Sequence, residues 1–328
     1  MYAFIIRRIL ISLVTLLIIT FIVFGLIRNI PGNPFTIAVS EISDPGKMIS
    51  KADALRLKQA YGLDKPWYES YFHWSLNLLK GDLGTSFDHK KPVTTVIADR
   101  FTATLILSIS SMILTYLIAV PLGLYSTVYY ATVQERTISV VLYILYSLPV
   151  MVAALLLQFY LAFKFDLLPL TGMYSSQDYE NLSLFGKLWD VTKHAMMPII
   201  CSTYGSLAFL SRFVNSNMQE VIRQDYIRTA RAKGLPPETV LLRHAFRNTL
   251  IPLITQLGLA LPGLLGGSII IEGIFQWPGM GQLFFESIGK RDYPVIMGLT
   301  LMFSILTLLG QLLADIFYAA ADPRIRLS

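Results

Sequence analysis

Six stretches of this 328-residue chain, at roughly 9–27, 101–125, 137–163, 195–211, 249–271 and 294–314, contain no Asp, Glu, Lys, Arg or His. An apolar run of about 20 residues is what an α-helix needs to cross the hydrocarbon core of a bilayer. Charged residues make up only 15% of the chain, against about 25% in soluble domains, and hydrophobic residues make up 54%. The chain therefore reads as an all-α polytopic membrane protein with six transmembrane helices. The first apolar run follows Arg7-Arg8 and is longer than the roughly 7–15 residues of a secretory signal, with no small-residue cleavage site after it, so it reads as a retained anchor.

Charge placement orients the bundle. Arg7-Arg8 put the N-terminus in the cytoplasm, and six crossings return the C-terminus, with Asp322-Pro323-Arg324-Ile325-Arg326, to the same side. The loop at 212–248 carries seven Lys/Arg against three acids, a net +4, and is expected inside; the loops at 164–194 and 272–293 are near neutral or acidic and are expected outside. The segment 28–100 has ten basic residues, but long segments are translocated largely regardless of charge. The organisation that follows is an N-terminal anchor at 1–28, an extracytoplasmic segment with amphipathic helices at 29–98, a core with the remaining spans at 99–320, and a cytoplasmic tail at 321–328. The net charge of +6 is accounted for by these cytoplasmic flanks, and no nucleic-acid partner is expected.

The chemistry available to the chain is sparse. Cys201 is the single cysteine, and His73, His89, His194 and His244 are scattered without ligand spacing, so neither a disulfide framework nor a metal site is expected. The Gly-Lys pairs at Gly46-Lys47, Gly186-Lys187 and Gly289-Lys290 are followed by Met, Leu and Arg rather than Ser or Thr, so there is no phosphate loop. No Ser/His/Asp cluster or metalloprotease motif appears. The acids nearest the spans stand at their ends, Glu272 and Asp315, which leaves no carboxylate for a deep proton relay. The chain is expected to be no enzyme and to bind no cofactor. A pore-like or carrier-like bundle without its own energy source implies a separate motor.

Several local patterns add detail. Trp67, Tyr71, Trp74 and Leu78 recur at helical spacing, and Pro66 suits a first helical position. This aromatic helix reads as lying at the bilayer surface or capping the bundle, or as a docking surface for an extracytoplasmic protein. Pro121-Leu122-Gly123, Pro149 and Pro262-Gly263 are helix breakers inside spans. They line a cavity or belong to ordinary helix packing, as does the small-xxx-small pattern of Gly263 to Gly267. Ser147, Gln158 and Gln256 are candidate polar lining or interhelical glue.

The most telling segment is Asp225-Tyr226-Ile227-Arg228-Thr229-Ala230-Arg231-Ala232-Lys233-Gly234, in the basic cytoplasmic loop. Asp225 suits a helix cap and Gly234 a left-handed stop. Arg228 and Arg231 share a face, as do Thr229 and Lys233. Pro236-Pro237-Glu238 restart a helix that runs through Arg243 and Arg247 into the fifth span. A solvated basic flank on anionic lipid is one use of such a segment; a rigid rod gripped by a cytoplasmic partner is the other.

From end to end the chain carries Ile30-Pro31-Gly32-Asn33-Pro34, Tyr61-Gly62-Leu63-Asp64-Lys65-Pro66, Lys80-Gly81-Asp82-Leu83-Gly84-Thr85-Ser86, the loop from Tyr226 to Gly234 with Arg243 to Pro252, Phe275-Gln276-Trp277-Pro278-Gly279-Met280-Gly281, and the tail Asp322 to Arg326. In this order they resemble the B-type permease subunit of dipeptide/oligopeptide ABC importers. The general ABC importer pattern has Glu-Ala-Ala where this chain has Arg228-Thr229-Ala230, a basic form common in the peptide branch; any contact assigned to that Glu is not carried over. The resemblance implies the type I ABC importer transmembrane domain. It implies that Asp225, Tyr226, Arg228, Thr229, Ala230, Arg231, Ala232, Lys233 and Gly234 form the helix that couples to an ATP-binding subunit. The implied partners are a second permease subunit, one or two ATP-binding subunits that hold ATP and Mg²⁺, an extracytoplasmic substrate-binding protein, a peptide substrate and the inner membrane of a prokaryote. Nickel, glutathione and oligosaccharides are substrates of other members of the branch. A stand-alone secondary carrier or channel, or a membrane-bound sensor without transport, are the readings from other classes.

Overall fold

The computed structural model describes residues 2–29, 65–175 and 179–321. The motif at Ile30–Pro34, the Tyr61–Asp64 part of the next, and the tail from Asp322 to Arg326 lie outside the described residues. Among the described residues the chain is helical, with no strand beyond an isolated bridge between Thr85 and Pro92.

The helices are α1 (Tyr2–Asn29), α2 (Trp67–Leu79), α3 (Val93–Val128), α4 (Val133–Ser147), α5 (Val150–Leu157), α6 (Leu184–Ile222), α7 (Asp225–Ala232), α8 (Arg247–Gly266), α9 (Ile269–Ile274), α10 (Met280–Lys290) and α11 (Tyr293–Ala321). Two seven-residue π-helical stretches, Gln158–Lys164 and Val240–Phe246, extend α5 and lead into α8. Four helices among the described residues, α1, α3, α6 and α11, are long and apolar enough to cross a membrane.

Two of the expected spans are not single helices. The third breaks between α4 and α5 with a bend of 92°. Leu148 and Pro149 are both extended at that point, and Pro149 has no N–H with which to continue the α4 ladder. The fifth ends at Gly266: Gly267 turns left-handed at φ +69°, and Ser268 then caps α9 by accepting the Ile271 N–H. Pro121, by contrast, does not end α3, which runs helical for 36 residues. The chain approaches α6 closely there. A Cβ on Gly123 would lie 2.6 Å from the Val214 Cβ, so glycine is what lets the two longest helices meet. Ala119 of α3 and Leu207, Leu210, Val214 and Met218 of α6 form the centre of the largest buried cluster.

The aromatic face of α2 is turned onto α1. Trp67 and Tyr71 pack on Phe21 at ring separations of 5.1 and 5.2 Å, and the Tyr71 hydroxyl lies 3.0 Å from Thr20 Oγ1. One face of the helix thus packs on α1, while Tyr68, Phe72 and Leu79 on the rest of it stay exposed. Pro66 stands one residue before the helix rather than at its first position.

On the same side of the molecule, Asp292 fastens the start of α11 to the loop before α3. Its carboxylate accepts from Ser86 Oγ and from the N–H groups of Phe87 and Asp88, both at 3.1 Å. Lys290 adds a 2.9 Å ion pair with Asp88.

Candidate functional site

The Asp225–Gly234 segment is a two-turn helix with one apolar seam. Gln224, not Asp225, is the extended residue ahead of the helix (φ −71°, ψ 150°), and no side chain caps it. Asp225 is the first helical residue, where its charge still complements the N-terminal dipole. Its carboxylate lies 3.6 Å from Arg228, but both side chains are exposed, so the pair contributes little. The C-terminal end is built more firmly. Gly234 takes φ +75°, its N–H donates to the Arg231 carbonyl at 3.0 Å, and the Leu235 N–H donates to the Ala230 carbonyl at 3.4 Å. These are the two reversed bonds of a Schellman cap, which satisfy carbonyls the helix would leave open.

Ile227 and Ala230, three apart, are buried and belong to the cluster that contains Val214 and Met218 of α6, Val240 and Ala245 of the π-helical stretch, and Leu253 of α8. Tyr226 adds a polar tie: its hydroxyl accepts from Asn248 Nδ2 at 2.7 Å. Everything else on α7 faces away from the bundle. Asp225, Tyr226, Arg228, Thr229, Arg231, Ala232, Lys233 and Gly234 are exposed, so a cationic surface is presented on a rod seated against the bases of α6 and α8. Ile227 and Asn248 were not among the candidate residues. The sequence signal for Ile227 was present, as the one large apolar side chain three before Ala230 in an otherwise polar helix.

A second feature is a cavity between α3, α6 and α8. It consists of a chamber of about 330 Å³ and an adjoining one of about 260 Å³ that share Ser108, Ser111, Ser202 and Leu264. Each wall is one helical face: Ser108, Ser111 and Thr115; Ser202, Ser206 and Phe209; Gln256, Leu259 and Gly263. Of the three polar candidates, Gln256 lines the chamber. Gln158 instead donates to the carbonyls of Leu170 (3.0 Å) and Ile274 (3.2 Å), holding the π-helical stretch against neighbouring segments. Ser147 is exposed and bonds back to Tyr143 O within α4.

Glu272, which is 1% exposed, is part of the wall of the smaller chamber. Its carboxylate accepts from Thr104 Oγ1 (3.1 Å), the Ser268 N–H (3.3 Å) and the Gln282 N–H (3.0 Å). Thr104 Oγ1 accepts in turn from the Met280 N–H at 2.7 Å, and the Trp277 indole donates to Ala103 O at 2.9 Å. The Phe275–Gly281 motif is thus wrapped around a buried carboxylate. A Cβ at Gly279 would stand 2.4 Å from Glu272 Oε2, so that glycine is required by the space. Read as the acid that ends a span, Glu272 is instead an interior residue, tolerated because N–H and O–H donors from three elements converge on it.

Comparison with known proteins gives a consistent picture. Residues 119–327 match the family described as binding-protein-dependent transport system inner membrane component, and residues 1–108 match the N-terminal component of the same systems. The chain is 39% identical to the oligopeptide transport system permease protein AppB of Bacillus subtilis, over 99% of both chains. It is 33% identical to the dipeptide transport system permease protein DppB of Escherichia coli K12, and 35% to the glutathione transport system permease protein GsiC of Pectobacterium atrosepticum, again over 99% of both chains. Among solved structures, a chain of the MetNI methionine ABC transporter in an inward-facing conformation superposes with a TM-score of 0.54 at 18% identity, covering 70% of this chain and 97% of that one. This last likeness is one of fold.

Proposed function

From the fact that this chain belongs to the family of binding-protein-dependent transport system inner membrane components, we propose that it is the permease subunit of an ATP-driven ABC importer of peptides. The observation that carries this reading is the full-length similarity to permeases of oligopeptide and dipeptide systems. The chain is a multi-pass protein of a prokaryotic inner membrane. Its expected topology is six crossings with both termini and the 212–248 loop inside. In that topology the bent α4–α5 pair counts as one crossing and α8 as another.

The complex pairs this chain with a second, homologous permease and with one or two kinds of ATP-binding subunit, which hold ATP and Mg²⁺ and perform the hydrolysis. An extracytoplasmic protein delivers the substrate. In this arrangement α7 is the coupling helix. Arg228, Arg231 and Lys233 face the ATP-binding subunit, while Ile227 and Ala230 hold the rod to α6 and α8. When nucleotide closes the motor subunits, motion imposed on α7 reaches the bundle through that seam and through the π-helical stretch at 240–246, and the path opens outward. Support for the rod lies in its Schellman stop and its seam, which make it a body that moves as one piece with the helices above it.

Glutathione is a second substrate reading, favoured by the 35% identical relative. The test is reconstitution of the purified complex in vesicles with loaded binding protein. ATP-dependent uptake of a di- or oligopeptide is expected. Uptake of glutathione alone would move the assignment to that substrate, and uptake without ATP-binding subunits would overturn the importer reading.

A further inference from the structure

The cavity between α3, α6 and α8 has no free charge on its wall. None of its described lining residues is Lys, Arg, His or Asp. The single acid, Glu272, has both carboxylate oxygens engaged by Thr104, Ser268 and Gln282. Most of the wall is apolar, with Met112, Phe209, Leu259 and Leu264 among its residues, and its polar side chains other than Glu272 are neutral: hydroxyls and one amide. Ser111, Thr115 and Ser202 donate their protons to carbonyls of their own helices, Ser108 O at 3.1 Å, Ser111 O at 2.7 Å and Pro198 O at 3.0 Å. A hydroxyl whose proton is committed in this way still has a lone pair with which to accept. The wall is therefore furnished with neutral acceptors held at fixed positions on two helices, α3 and α6, together with the Gln256 amide of α8, which both donates and accepts.

We infer that this cavity is the stretch of the peptide path contributed by this subunit, and that it engages substrates through their backbone amides while leaving side-chain charge unread. The inference rests on the peptide-importer reading above. Its physical basis is that every peptide, whatever its sequence, carries the same N–H and C=O groups, and neutral hydroxyls and an amide bond them alike. A fixed charge in a partly dehydrated passage would do the opposite, attracting one sign of side chain and repelling the other. Passage also requires contacts weak enough to leave, which neutral hydrogen bonds satisfy better than buried ion pairs.

The test places a charge in the wall. Ser206 lines the larger chamber from α6 and is exposed to it, so it accepts a longer side chain. The complete complex, reconstituted with loaded binding protein and ATP, is assayed with Ala-Asp-Ala and Ala-Lys-Ala, each rate normalised to binding-protein occupancy. The unmodified complex is expected to carry both at comparable rates. Ser206→Asp is expected to slow Ala-Asp-Ala about tenfold relative to Ala-Lys-Ala, and Ser206→Lys to reverse the preference, as like charges in a confined passage require. Should a charged variant fail to insert, Ser206→Cys in a background where the buried Cys201 is replaced by Ala delivers the same charges after folding. Anionic and cationic thiosulfonate reagents are then compared on one protein. Peptide uptake with a charge ratio unmoved by either sign would overturn the proposal, as would an unmodified complex that already separates the two peptides by about tenfold or more. Absence of uptake of every peptide would instead overturn the peptide reading, and this inference with it.

Discussion

Gly234 offers the cleanest perturbation of α7, the helix proposed to couple to the ATP-binding subunit. A Cβ built there meets nothing within 4 Å, so the first side-chain atom has room. What remains is the backbone: at φ +75° an L-residue with a side chain pays about 1–2 kcal/mol for the left-handed conformation, Asn less than others, and a β-branched residue most. The two Schellman bonds at Arg231 and Ala230 depend on that conformation, each contributing about 0.5–1.5 kcal/mol. Gly234→Ala should therefore reduce the population of correctly terminated α7 by roughly 5–30-fold relative to its frayed form, with Gly234→Asn close to unchanged and Gly234→Val worst. The readout is ATP hydrolysis stimulated by substrate-loaded binding protein in the reconstituted complex. Membrane insertion and binding-protein attachment serve as controls that should hold. Equal activity in the Asn and Val variants would refute the role of the left-handed stop, because the two differ in that conformational cost.

Ile227→Ala removes the fully buried anchor of α7 and should cost about 2–5 kcal/mol of local stability, seen as earlier exchange of backbone amides across 225–246 and as loss of stimulated hydrolysis; unchanged exchange would show that the seam does not hold the rod. Asp292→Asn turns an amide NH₂ toward a site that receives only donors, leaving one buried group unpaired at about 1–3 kcal/mol, so protection of amides 84–92 should fall while α7 is untouched. Topology is tested with single cysteines in the Cys201→Ala background. Leu79→Cys, at 85% exposed, should react with an impermeant reagent added outside intact cells, and Glu238→Cys should not; the reverse pattern would overturn the orientation. Ser86 is unsuitable for that purpose, since it is fully buried against Asp292.

How far the structure was legible follows from how local each determinant is. The rod at 225–234 was readable because its stop is a single residue type with a single conformational use, Gly at positive φ. Its start was displaced by one residue because Gln224 takes the extended conformation ahead of the helix although Asp is the stronger capping residue by preference. The break at Pro149 was visible for the same local reason, a missing N–H. The break at Gly267 was not, because Gly266-Gly267 in an apolar run reads equally as a helix-packing motif; the positive φ there and the Glu272 carboxylate beside that backbone leave room for glycine only. Glu272 itself was unreadable as an interior residue. Its hydroxyl partner, Thr104, is 168 positions away, and no periodicity connects the two. The polar lining at 108–115 and 202–206 was likewise hidden, since serine and threonine in a span serve helix contacts as readily as a cavity.

The long reach of those contacts has a consequence for how the protein is made. Thr104 and Ala103 are satisfied by residues 168 and 174 positions later, and Ser86 by Asp292, 206 positions later. At a synthesis rate of about 5–20 residues per second, the polar groups of the first half wait roughly 10–40 s for their partners to leave the ribosome. Throughout that interval α3 is already hydrophobic enough to enter the bilayer, while the hydroxyls of Thr104 and Ser86 lack the carboxylates they bond in the finished structure. Local bonds bridge the delay: Ala103 lies inside α3, where its carbonyl has helical partners, and Ser86 Oγ accepts from the His89 N–H at 2.8 Å. The final third, carrying Glu272, Trp277 and Asp292, then closes the structure as it is released.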